Sequence, residues 1–187
     1  PPRSTLFPYT TLFRSEIRES ILQSGRFVGR ELPLTTLQHA LERALTGNGA
    51  GFLIGGASGV GKSRLLDEFR TQILVRGIPV IRAQATREQS TLYKLWVDIL
   101  RELCLLTDVL PLFTDERASI LKTIAPDLPH WLGRPIADAP DIAPNLVTGR
   151  LHDTLRTIFT AISAPLVMVL EDLHWMRDGL PLLQAVT

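Results

Sequence analysis

Cysteine is nearly absent from the 187-residue chain: Cys104 is its single cysteine, so no intrachain disulfide can form and a disulfide-stapled scaffold is excluded. Cys104 lies in the apolar run 100–106, where a buried thiol behaves as a small hydrophobe, and a reducing cytoplasm is the expected compartment. Long apolar runs are missing as well. None reaches the roughly eighteen residues of a membrane span, and the N-terminus lacks the charged-then-apolar order of a signal peptide, so no membrane partner is expected. Nor is there an excess of one charge: 20 Lys and Arg oppose 19 Asp and Glu, a formal net charge of +1. With the signs interspersed, direct nucleic-acid binding by these residues is not expected. His39, His130 and His152 show no metal-ligand spacing. The length suits one α/β domain with a real core and is too short for two of ordinary size.

Glycine, by contrast, is concentrated where it matters. Gly51 to Leu66 reads as a short apolar strand, a glycine-rich loop and a helix, and Gly56, Gly61, Lys62 and Ser63 satisfy the spacing G-x-x-x-x-G-K-[ST]. A loop that wraps phosphates must turn its backbone N–H groups inward, which needs small residues and dihedrals that glycine adopts cheaply. Gly56, Gly59 and Gly61 supply that freedom, and the helix starting near Lys62 aims its N-terminus at the same place. Lys62 would bridge the β- and γ-phosphates of a nucleotide, and Ser63 would ligate Mg²⁺ through its hydroxyl. A flexible glycine linker would also explain the loop, but the full match in a strand-to-helix context outweighs it.

The rest of the chain can be placed around this loop. Thr5 to Ser15 fits no element and resembles a translated sequencing adapter, so residues 1–15 are expected to be non-native and 16–25 a linker, with a short helix at Glu16 to Ser24. Leu34, Leu37, Ala40, Leu41 and Leu45 form a helical stripe. Phe52 to Ile54 reads as a strand buried on both faces. After the loop come a helix with Leu65, Leu66, Phe69 and Ile73 on one face, Gly77 as its left-handed terminator, a buried strand at Ile78 to Ala83, and a helix at Leu92 to Leu106. Prolines recur from Pro111 to Pro144, which reads as a loop-rich or loosely helical insertion (about 107–145) rather than core, with one short helix at Glu116 to Ile124. A helix at Leu146 to Ile162 follows.

Leu166 to Leu170 is the most apolar strand and runs into Glu171-Asp172. Ligands of open α/β sheets bind beyond the carboxyl ends of strands, so this pair is a candidate catalytic site. One acid would hold Mg²⁺ and the other orient the attacking water; Glu171 is read as the metal-side acid and Asp172 as the water-side one, with the reverse order open. An acidic pair that merely caps the next helix is the plainer alternative.

Phe-Val-Gly-Arg-Glu (27–31), Gly-Gly-Ala-Ser-Gly-Val-Gly-Lys-Ser-Arg-Leu-Leu (55–66) and Val-Leu-Glu-Asp-Leu-His-Trp (169–175), in that order, resemble the AAA-type P-loop module of the signal-transduction ATPases with numerous domains, related to origin-recognition-like modules. Tyr93-x-x-Trp96 adds to the likeness, which runs from Arg26 to the C-terminus. The resemblance implies an α/β P-loop NTPase, a three-layer sandwich with a parallel sheet, cut short at its C-terminus and carrying the insertion between its second strand and the Walker B strand. It implies a Walker A loop at 56–63, with Gly56, Ala57, Ser58, Gly59, Val60, Gly61, Lys62, Ser63 and Arg64 around the phosphates, and a Walker B segment at 166–172. Val28, Gly29 and Arg30 would lie near the adenine and ribose. His174 and Trp175 match a family signature and are read as structural, with Trp175 packing the following helix. Met176-Arg177-Asp178 departs from the family's Ala-Asp.

The implied cofactors are ATP and Mg²⁺. The implied partners are ATP or ADP and other domains of the same protein, such as LuxR-type DNA-binding, serine/threonine kinase or adenylate cyclase domains, with nucleotide-dependent self-association as an option. Three functions compete: a slowly hydrolysing nucleotide switch, a non-hydrolysing scaffold, and a small-molecule kinase, against which the Val-Gly-Arg-Glu segment argues. Because the family's sheet places absent strands beside Phe52 to Ile54, the chain alone is expected to be molten or aggregated, without measurable ATPase activity: a strand buried there would leave dry backbone groups at about 1–3 kcal/mol each.

Overall fold

The computed structural model describes residues 31–85, 93–175 and 183. The adapter-like segment, the helix expected at Glu16 to Ser24 and the Met176-Arg177-Asp178 departure all lie outside the described residues. The chain divides into two compact units, residues 1–80 and 81–187, and each is taken by itself.

In the first unit, α1 (Glu31–Leu45) buries Leu37 and Leu41, four apart and therefore on one face. It packs on α2 (Lys62–Val75), which buries Leu65, Phe69, Ile73 and Leu74; Leu66 is half-buried, Leu74 taking the place expected for it. Gln38 Nε2 donates to Gln72 Oε1 at 2.6 Å, and Arg76 pairs with Glu42 at 2.5 Å, so polar contacts rim the apolar seam between the helices. The end of α2 has a physical stop. Gly77 takes φ 74°, its N–H donates to Leu74 O and that of Ile78 to Ile73 O, which satisfies two of the carbonyls a helix end leaves open. Ile73 and Ile78 are both buried at this turn.

The expected strand at Phe52 to Ile54 does not form. The segment has no strand geometry, and Phe52 and Leu53 are 51% and 90% exposed. Apolar composition alone cannot hold a strand, whose stability comes from a neighbour's ladder and side-chain pairs. Among the described residues there are two strands, β1 (Val80–Gln84) and β2 (Val167–Glu171), and they pair with each other in parallel.

β1 and β2 open the second unit's fold. β1 begins two residues later than expected, after Pro79, which has no N–H to give a ladder. Its Ile81 and Ala83 turn to the core, as do Met168 and Leu170 of β2. The helices that cover this face are α3 (Lys94–Cys104), α4 (Asp115–Lys122), α5 (Leu128–Leu132) and α6 (Pro144–Ala161). α3 carries the densest apolar face: Leu95, Trp96, Ile99, Leu100, Leu103 and Cys104 are all buried. α6 answers with Leu151, Leu155 and Ile158, and the Phe159 ring meets Trp96 edge-on at 6.2 Å.

The proline-rich stretch corrects an expectation. Helical as well as loop structure is expected there, but not core, whereas Val109, Phe113, Ala118, Leu121, Ala125 and Leu128 are buried in the same cluster as α3 and α6, and α4 touches both α5 and α6. Pro129 and Pro144 stand in the first turns of α5 and α6, where a missing N–H removes no helical bond and the fixed φ suits the helix. Thr114 caps α4 by accepting the Arg117 N–H, with Asp115 and Glu116 in the first turn and Lys122 in the last. Lys122 Nζ then reaches across to Ile136 O at 3.0 Å and Asp138 at 2.7 Å, which ties the following loop down and holds the Asp138 carboxyl below its usual range, the hydrogen bond from Lys122 being the main cause.

Burial in this cluster pushes the Cys104 thiol up to about 12. Thiolate is the reactive form, and burial keeps Cys104 almost entirely in the thiol form at pH 8 in the folded chain. A thiol-reactive chromophore is therefore expected to label Cys104 only in denaturant. Stoichiometric labelling of the native chain within minutes would show that the α3 seam is open.

Candidate functional site

The glycine-rich loop enters α2 through backbone that glycine alone takes easily. Gly59 and Gly61 have φ of 78° and 88°, in the left-handed region where a Cβ is strained. At Gly56 an added Cβ would also lie 3.2 Å from Val60 Cγ2. Gly61 is the residue before the helix and offers no capping side chain, so the first-turn N–H groups of α2 stay available to a ligand. The loop curls round an ammonium: Lys62 Nζ donates to the carbonyls of Gly56 and Ala57 at 2.8 and 2.9 Å. Ser58, Gly59, Val60, Ser63 and Arg64 are exposed along the same turn.

The acidic pair ends β2. Glu171 is buried, its side chain 7% exposed, and both Nε and Nη2 of Arg82 reach its Oε1, at 2.7 and 2.6 Å. The Ala85 N–H donates to Glu171 O at 3.0 Å and extends the ladder to this point. Asp172 then adopts φ 55°, which Asp tolerates better than most residues, and turns the chain into a short 3₁₀ segment, Leu173–Trp175, closed by the Trp175 N–H on Asp172 O at 2.9 Å. Gln84 Nε2 donates to Asp172 Oδ2 at 2.8 Å. Each acid thus answers to a polar side chain of β1.

A family model described as an AAA ATPase domain matches residues 26–186. The chain belongs to the AAA ATPase domain family. No curated protein and no solved structure matches it.

An AAA ATPase domain is an α/β nucleotide-binding module of P-loop type, and its family generally uses ATP and Mg²⁺. The residues present fit such a ligand. The loop has the small residues, positive φ values and basic group that a phosphate chain needs, and the Ser63 hydroxyl beside Lys62 is a hard oxygen of the kind Mg²⁺ takes. Among the described residues no group of three or more His, Cys, Asp and Glu is placed to hold a metal ion. Also among the described residues, no helix is long and apolar enough to cross a membrane.

Of the expected site residues, Gly56 through Arg64 form one continuous turn, and Glu171 and Asp172 stand together at the end of β2. Val28, Gly29 and Arg30 lie outside the described residues. The helix that Trp175 is expected to pack lies outside the described residues; Trp175 itself is 43% exposed, with its ring 4.6 Å from that of His174. Arg82 and Gln84 were not singled out from the sequence. The signal is there in Val80-Ile-Arg-Ala-Gln84, where Arg82 and Gln84 alternate with the core residues Ile81 and Ala83 and so face one side of the sheet.

Proposed function

We propose that this AAA ATPase domain is a nucleotide switch: it binds ATP with Mg²⁺ at the glycine-rich loop and hydrolyses it slowly, and exchange of ATP for ADP changes how it associates with other domains of a larger regulator. The observation that carries the reading is the loop itself, folded round the Lys62 ammonium at the head of α2. In this reading the backbone of Gly56 to Arg64 holds the phosphates and Lys62 exchanges its two carbonyl partners for phosphate oxygens. Ser63 and Glu171 would hold Mg²⁺, whose contribution is to neutralise charge on the β- and γ-phosphates. Asp172 would orient the attacking water, and Val28, Gly29 and Arg30 would contact the base and ribose.

The test is affinity. A charge-assisted contact contributes on the order of 1.5–3 kcal/mol, so Lys62→Ala is expected to weaken ATP binding at least tenfold in calorimetry. Equal affinities for the two proteins would remove the loop from the site.

A second reading has an observation of its own. Glu171 and Asp172 are both engaged by side chains of β1, which favours a module that holds nucleotide as a scaffold without turnover. Tightly held ADP together with no phosphate release in single-turnover assays would select it.

A further inference from the structure

We infer that Arg82 is a positioning residue that supplies Glu171 with an internal counter-charge, so that the acid takes up a divalent cation only when nucleotide phosphates come with it. The inference rests on the reading of Glu171 as the metal-side acid. A carboxylate with 7% of its side chain exposed needs a compensating cation, and β1 provides one: two N–H groups of the guanidinium converge on Oε1 at 2.7 and 2.6 Å. The parallel register makes this possible, since Arg82 alternates with the core residues Ile81 and Ala83 and stands on the neighbouring strand.

The consequence is electrostatic. A guanidinium keeps its charge at any working pH, and a positive group fixed within hydrogen-bond distance of a carboxylate repels a second cation approaching that carboxylate. Arg82 is 40% exposed, so solvent weakens this repulsion without removing it. Phosphates add negative charge and oxygen ligands of their own, which reverses the balance. Gln84 makes the corresponding contact to Asp172 with a neutral amide, so the charge effect belongs to Arg82. Its outcome would be a module that does not collect Mg²⁺ when empty.

Mn²⁺ binding to the full chain, without nucleotide and read by electron paramagnetic resonance, tests this. Wild type is expected to bind weakly, and Arg82→Gln and Arg82→Met about tenfold or more tightly. Arg82→Lys keeps the charge and should stay weak. Adding Glu171→Gln to Arg82→Gln should abolish the gain. The inference is overturned if the neutral variants show no gain, if the gain survives Glu171→Gln, or if circular dichroism shows both neutral variants unfolded, which would make the ion pair a structural requirement. Lys62 plays no part in this nucleotide-free titration, so the outcome is independent of the ATP affinity of Lys62→Ala. Failure of one reading is thereby separable from failure of the other.

Discussion

On the proposed water-side role of Asp172, its replacement with Asn is expected to slow ATP hydrolysis about a hundredfold while leaving ATP affinity within about threefold of wild type. The substitution is well matched to its place. Asn tolerates the left-handed conformation at φ 55° as readily as Asp, and its amide oxygen can accept the hydrogen bond that Gln84 now gives to Oδ2. The turn into Leu173–Trp175 should therefore survive, and what changes is the charge and basicity at one position. A group that takes or orients the proton of an attacking water contributes roughly 10²–10⁴ in rate. A hundredfold loss is about 2.7 kcal/mol of transition-state stabilisation. Because the water is activated only on the way to the transition state, ground-state binding should hardly move. Single-turnover phosphate release beside calorimetry separates the two quantities. Hydrolysis at the wild-type rate would take Asp172 out of the water-side role and leave Glu171 as the acid to examine.

Periodicity read the helices well, because an amphipathic stripe is a local property of the chain. Leu37 and Leu41, Leu65, Phe69 and Ile73, and Leu151, Leu155 and Ile158 are buried as their spacing requires, while Leu66 is half-buried and Leu45 at the end of its stripe is exposed. The loop was legible for a related reason: Gly59 and Gly61 take positive φ within a spacing that specifies it. Strands were harder. Phe52 to Ile54 and Val167 to Leu170 look alike as apolar runs, yet only the second has a ladder partner among the described residues, and pairing is decided by chain far away in sequence. The proline-rich stretch misled because proline breaks a helix interior but suits a first turn, and sequence alone does not say which position Pro129 or Pro144 will occupy. Arg82 and Glu171, 89 residues apart, meet only through strand register. Composition offers no route to that contact.

Trp96→Ala is expected to remove about 3–5 kcal/mol of stability, a large share of a total of about 5–15 kcal/mol for a domain. The expectation that the chain alone is molten rested on dry backbone groups in a buried Phe52 to Ile54 strand. With Phe52 and Leu53 at 51% and 90% exposure, that segment meets water and the penalty does not arise. Stability then lies with the core of residues 81–187, where Trp96 of α3 is fully buried with its ring against Phe159 of α6. Truncation to Ala would leave a cavity bordered by elements that cannot all move inward, since α3 already packs on α5 and on the 3₁₀ segment Thr107–Leu112. A second variant isolates packing from chemistry. Trp96 Nε1 is buried without a hydrogen-bond partner among the described residues, a situation that costs about 1–3 kcal/mol. Trp96→Phe removes that unpaired donor while keeping a ring against Phe159, so its smaller volume and its relieved polar atom offset each other. It is expected to lie within about 1 kcal/mol of wild type, the edge-to-face contact being worth about 0.5–1.5 kcal/mol where it is kept. Urea unfolding with a constant m-value would read both. For a unit near 100 residues, where about 1 kcal/mol moves the melting temperature by 4–8 °C, Trp96→Ala should fall by more than about 12 °C while Trp96→Phe stays near wild type. Equal losses in the two variants would mean that the indole N–H has a partner after all, and a non-cooperative wild-type transition would return the chain to the molten state first expected of it.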